Sequence, residues 1–142
     1  MKILVASDGS KHALRGLKAT IELVAELRSK SSTITLINVH DDTGLRHAKS
    51  LVGKQEVEDY LRDLSDKELK PSRELLDASG IKHTVEVCTG HVAQSIIDFA
   101  SKEKFDLVVL GSKGRGGIAD LLLGSVAQRV MAAAAQPVLL VK

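Results

Sequence analysis

Gly111, Gly114 and the pair Gly124-Ser125 stand in the spacing Gly, two residues, Gly, nine residues, Gly-Ser, a pattern that can hold a phosphate. Glycine turns the chain through positive φ with no Cβ in the way, so successive N–H groups can converge on an anion. A helix opening at Ser125 adds its own free N–H groups and the positive end of its dipole. Gly116 and Gly117 extend the loop, and Lys113 and Arg115 place two cations in it. Four glycines within seven residues, with Gly124 beyond them, exceed what a tight strand-to-helix turn requires. Ser125 with Gln128 also has the form of a capping box, a role compatible with phosphate binding because both use the same N–H groups. A bulky β-branched residue at Gly114 is expected to obstruct a phosphate with little loss of folding.

A second loop, Ser7-Asp8-Gly9-Ser10, offers a carboxylate and two hydroxyls. Asp8 there reads either as the cap of the next helix or as a ligand contact. Other chemistries find less support. His12, His40, His47, His83 and His91 show no metal-ligand spacing with Cys88 or with a carboxylate pair, so no zinc site is expected. His40-Asp41-Asp42 could touch a divalent ion, but a solvated loop accounts for it as well. The chain has no Gly-x4-Gly-Lys-Ser/Thr, and the first loop lacks Gly-x-Gly-x-x-Gly, which argues against a P-loop enzyme and a dehydrogenase. Tyr60, Phe99 and Phe105 are the only aromatic residues, few rings for a flavin.

The elements that must position these residues follow from the apolar pattern. Runs rich in Val, Ile and Leu alternate with longer stretches of helical period, which predicts an α/β domain with a mostly parallel sheet. The strands are expected at Ile3–Ala6, Thr33–Val39, Ile81–Val87, Asp106–Leu110 and Pro137–Val141. Between them, helices are expected after Ser10, over Lys54–Ser79, from Val92 and from Ser125, with His40–Gly53 read as a loop. Pro71 should split or bend the second helix, since proline lacks the N–H and clashes with the preceding turn. The third strand alternates with polar residues and belongs near an edge, whereas the nearly unbroken Asp106–Leu110 run belongs inside the sheet. If the loops after strands 1 and 4 form one site, those strands are neighbours. That favours the order 3-2-1-4-5, with helices on both faces, and places the ligand where the strand order reverses.

Composition sets the class. The 142 residues fit one domain, a length that buries roughly two-thirds of the unfolded surface. With 20 basic and 18 acidic side chains the formal charge is +2, which leaves no footprint for nucleic acid or an anionic membrane. The first residues are interrupted too soon by Asp8 to be a signal peptide, and no apolar run reaches membrane-spanning length. A cytoplasmic protein is expected. Cys88 is the only cysteine, so an intrachain disulfide is impossible.

Taken together, Val5-Ala-Ser-Asp8-Gly-Ser10, Gly90-His-Val-Ala93, Asp106 to Gly117, Leu123-Gly-Ser-Val126 and Pro137-Val-Leu-Leu-Val141 resemble the universal stress protein family, specifically its nucleotide-binding branch. The resemblance covers essentially all of residues 1–142. In that family the Gly-x2-Gly-x9-Gly-Ser/Thr pattern separates members that bind ATP from those that do not, so the resemblance implies ATP, with magnesium as companion of the triphosphate. It implies that Ala6, Ser7 and Asp8 contact the adenosine end and that the backbone near Val39 meets the adenine. Leu110, Gly111 and Gly114 would line the ribose and phosphate path. Gly124, Ser125 and Val126 would bind phosphate, with Arg115 as a further phosphate contact and Lys113 as a second cation. Where the family commonly carries proline, this chain has Val92. The family further implies a homodimer paired through the last strand. Two functions remain open: a nucleotide-dependent stress-response or regulatory module with little or no hydrolysis, and a slow ATPase or phosphotransferase. A structural partner with a vestigial glycine loop is a third reading, and the intact motif argues against it.

Overall fold

The computed structural model describes residues 1–27, 31–115 and 123–142. In chain order the elements are β1 (Lys2–Ala6), α1 (Lys11–Glu26), β2 (Thr33–Asp41), α2 (Leu45–Val52), α3 (Lys54–Ser79), β3 (His83–Gly90), α4 (Val92–Lys102), β4 (Leu107–Gly111), α5 (Ser125–Ala133) and β5 (Val138–Val141). The five strands form one sheet in the order β3-β2-β1-β4-β5, and every pairing is parallel. This is the expected α/β architecture. β3 lies at an edge and β4 inside, as their apolar patterns require.

Successive side chains on a strand point to opposite faces, so each strand feeds two cores. Ile3 and Val5 join Ile34, Leu36 and Val109 under α1 and α3, with Leu17, Leu69 and Leu76 from the helices. Leu4 joins Ile37, Val108 and Leu110 under α4 and α5, with Ile96, Ala100 and Val130. β1 pairs with β2 on one side and β4 on the other. The chain leaves β1 and β4 in opposite directions there, and the crevice beyond their carboxyl ends is where a ligand finds exposed backbone.

Two expectations are corrected. The His40–Gly53 stretch is not a loop: β2 runs on to Asp41, and α2 occupies Leu45–Val52. α2 buries no residue; it lies on α3, with Leu51 and Val52 exposed, and so carries no core-facing stripe for the pattern to reveal. Nor does Pro71 split α3, which runs unbroken over 26 residues. Val57, Leu61, Leu69 and Leu76 bury on both sides of the proline. Pro71 and Lys67 are both exposed, so water can reach the carbonyl that loses its donor. Packing of the common stripe thus outweighs the interior-proline cost of about 3 kcal/mol. Gly80 closes the helix in the left-handed conformation at φ 67°, as expected of a glycine in that place.

Because Pro71 touches no core, Pro71→Ala should restore a helical hydrogen bond and raise unfolding free energy by about 1–3 kcal/mol in urea titration. An unchanged or lowered midpoint would contradict this account of α3.

Candidate functional site

The loop after β1 and the loop after β4 are tied together by one carboxylate. Asp8 Oδ1 accepts from Ser10 N at 2.9 Å, and Oδ2 accepts from Arg115 N at 3.1 Å. Asp8 is therefore not the cap of α1. That role falls to Ser10, whose Oγ accepts from Ala13 N at 3.2 Å. Ser7 N donates to Ile37 O at 2.9 Å and prolongs the β1–β2 pairing.

On the α4 side of this brace lies a cavity of about 340 Å³. Every predicted site residue lines it: Ala6, Ser7, Asp8, Val39, Leu110, Gly111, Gly114, Arg115, Gly124, Ser125 and Val126. Lys113 joins them, and Ala13, Ile37, Val92, Ile96 and Ala127 complete the wall. Gly116 and Gly117 lie outside the described residues. The cavity is thus apolar at its floor, where strands and α4 meet, and polar at its rim.

α5 begins at that rim, and here the capping expectation is corrected. Gly124, not Ser125, is the N-cap, at φ −69° and ψ 155°, and no side chain among the described residues caps the helix. Gln128 donates instead to Leu123 O at 3.2 Å. Gly124 N is drawn to Ser112 O at 2.7 Å, which anchors the cap backbone to the β4 loop and places Ser125 inside the helix. The first-turn N–H groups that a Ser or Asp cap would satisfy therefore open beside the cavity, with the positive end of the helix dipole behind them.

The glycines differ in what they do. A Cβ on Gly111 would come within 2.6 Å of the His12 carbonyl carbon and 2.9 Å of Ala13 N, so this glycine is needed for α1 to cross close over β4, whatever binds. A Cβ on Gly114 would meet Asp8 Oδ2 at 2.9 Å. A bulky residue there would displace the brace as well as obstruct a phosphate, which corrects the expectation of an isolated binding effect. Gly124 is different, because among the described residues a Cβ there would have only ordinary contacts, the nearest at 3.5 Å. Val92 opens α4 directly after its cap His91, a helical first position that proline also favours.

Behind the brace, on the α3 face, lies a polar cluster that the sequence reading passed over. Asn38 Nδ2 donates to Ser7 O at 2.8 Å. Ser65 Oγ donates to Asn38 Oδ1 at 3.2 Å and stands 2.6 Å from His40 Nε2. Glu68 Oε1 pairs with Arg115 Nη2 at 2.6 Å. The signal was present: Asn38 and His40 break β2 on one face, opposite Ser65 and Glu68 on one side of α3. The His40-Asp41-Asp42 run does not converge on an ion. His40 turns to Ser65, Asp41 Oδ1 accepts from Thr43 N and Oγ1, and Asp42 pairs with Arg46. Among the described residues no group of three or more His, Cys, Asp or Glu could hold a metal ion. None of the described helices is long and apolar enough to cross a membrane. Burial, and then the Glu86 charge, raise the thiol pKa of half-buried Cys88.

The universal stress protein family model matches residues 1–142. The chain belongs to the universal stress protein family. It is 33% identical over 141 residues to a universal stress protein of Methanocaldococcus jannaschii, covering 99% of this chain and 81% of that one. A universal stress protein of Thermus aquaticus is 30% identical, covering 99% of this chain and 97% of the relative. Among solved structures, hypothetical protein MJ0577 matches with a TM-score of 0.86 at 26% identity, over 99% of this chain and 94% of its own. A universal stress protein of Archaeoglobus fulgidus in complex with dAMP matches with a TM-score of 0.68 at 24% identity, over 100% and 98% of the two chains. A universal stress protein in complex with cAMP matches with a TM-score of 0.63 at 22% identity, over 100% and 96%. These last two likenesses are of fold.

Two predictions follow the geometry. Gly111→Ala should destabilise by about 1–3 kcal/mol through overpacking, whereas Gly124→Ala, which forfeits only the N-cap preference for glycine, should cost less in urea titration, under about 1 kcal/mol; equal effects would contradict the contrast. Burial holds the pKa of His40 below its ordinary 6.5, against the Glu68 charge that raises it and with the Arg115 charge that lowers it further. Below pH 6.5 the unfolded chain then binds a proton that the folded state resists. The His40 contribution to stability is therefore complete above that pH and is lost as pH falls through the folded pKa. An NMR titration of the His40 ring should give a midpoint under 6.5, and His40→Gln should flatten the corresponding slope of stability with pH. A midpoint at or above that value would contradict it.

Proposed function

We propose that this universal stress protein domain binds ATP in the cavity at the β1–β4 switch point and acts as a nucleotide-dependent stress-response or regulatory module. One observation carries the reading: an apolar cavity about 340 Å³ in volume is rimmed by the uncapped start of α5 and by the Gly111–Arg115 loop. The adenine would lie between Val39, Ile37 and the start of α4, against Ala6 and the Ser7-Asp8 turn. Leu110, Gly111 and Gly114 would border the ribose and first phosphates. Gly124, Ser125 and Val126 would receive the outer phosphates through backbone N–H groups and the Ser125 hydroxyl, with Lys113 and Arg115 as cations nearby. Magnesium would enter with the triphosphate and take its ligands mainly from phosphate oxygens and water. That proteins of this fold occur in complex with dAMP and cAMP supports an adenine nucleotide.

The slow ATPase or phosphotransferase reading has less to stand on. Both Asp8 oxygens already accept backbone N–H bonds. We take the protein to function in the cytoplasm as a homodimer paired through β5, whose partly exposed apolar residues form a sheet edge in need of cover.

Ser125→Glu tests the phosphate placement. Ser125 is exposed at the first helical position, where a carboxylate favours the helix by about 0.3–1 kcal/mol but repels phosphate. Calorimetric titration of nucleotide-free protein with Mg-ATP should show micromolar or tighter binding by the native chain. The variant, with its melting temperature kept or raised, should bind at least about tenfold more weakly, or 1.4 kcal/mol. ATP binding unaffected by the substitution would place the phosphates elsewhere, and no binding by the native chain would refute the reading.

A further inference from the structure

Arg115 borders the proposed phosphate path, yet its guanidinium is turned toward the other face of the sheet, where Glu68 Oε1 lies 2.6 Å from Nη2. The Glu68 side chain is only 8% exposed, against 52% for Arg115. Glu68 is also held in place: its Oε2 stands 3.5 Å from Asn38 Nδ2, within the cluster that includes Ser65 and His40. The crossing runs over Gly9, at φ 77°, where a Cβ would come within 3.0 Å of both Arg115 Nη2 and Glu68 Cβ. The backbone of residue 115 stays tied to Asp8, so the side chain can leave Glu68 without dismantling the loop.

We propose that Glu68 sets how strongly the site distinguishes nucleotides by phosphate number, by competing with the phosphates for Arg115. The proposal rests on the nucleotide-binding reading above. A monophosphate carries too little charge to draw the guanidinium off a buried carboxylate, whereas a triphosphate brings more charge, and brings it nearer the β4 loop. Glu68 is then a positioning residue: it stores the arginine against α3 in the free protein, and the outer phosphates claim it on binding.

Calorimetry with ATP and AMP on the native chain, Glu68→Gln, Arg115→Gln and the double variant tests this. Glu68→Gln should tighten ATP severalfold and leave AMP nearly unchanged. Arg115→Gln should weaken ATP alone, which keeps the proposal testable should the Glu68 variant fold poorly. In the Arg115→Gln background the Glu68 substitution should lose its effect. An unchanged ratio of ATP to AMP affinity in both single variants would overturn the proposal while leaving nucleotide binding intact. Weaker ATP binding by Glu68→Gln would overturn it too, because Glu68 would then present the arginine rather than withhold it. Absence of binding by the native chain would remove both readings together.

Discussion

Two hydrogen bonds to the carboxylate of Asp8 tie the turn after β1 to the loop after β4. One fixes the turn that leads from β1 into α1, and the other reaches across to Arg115 after β4. Charge-assisted bonds of this kind are stronger than neutral ones, and the second joins segments 107 residues apart in sequence. Asp8, Gly114 and Arg115 at this join line the cavity, and the start of α5 is tied beside it by Gly124 N to Ser112 O. A side chain at Gly114 would press on this carboxylate, whose Oδ2 is the one atom within 4 Å of its Cβ among the described residues, chain neighbours apart.

From this join the molecule divides by face. Toward α4 and α5 the strand ends carry Ala6, Ile37, Val39 and Leu110, which leave an apolar hollow closed above by backbone donors. Toward α3 the same strand ends carry Asn38, which meets Ser65 and Glu68, and His40, which meets Ser65. The alternation of a strand thus puts a ligand-shaped space on one side and a charged, hydrogen-bonded support on the other, with Arg115 belonging to both. In our proposal this cation is the group that responds to the charge of what enters the cavity.

Much of this was legible from residue pattern. The unbroken apolar run before Gly111, the alternation around Val85 and the glycine spacing led to the strand order, while most of the residues that meet at one cavity were named through the resemblance to the universal stress protein family. What escaped had physical reasons. α2 buries nothing, so Leu45–Val52 shows no stripe aimed at a core. The cost of Pro71 was met by packing on either side of it, which a local rule cannot weigh. Ser125 looked like a cap because the local sequence suits one, but a tertiary bond from Gly124 N to Ser112 O shifted the helix start by one residue. Glu68 and Asn38 were invisible singly, since their meaning lies in the facing of a strand and a helix far apart in the chain.

The most direct test of the account is an amide NMR titration of the protein with Mg-ATP and, separately, AMP. The account predicts that both nucleotides shift the amides of Ala6, Ser7 and Val39, while only ATP strongly shifts those of Val126 and Ala127 at the start of α5. Shifts gathered instead around Lys2, Lys82 and Phe105, in the groove at the opposite end of the sheet, or none at the α5 amides with ATP bound, would contradict it.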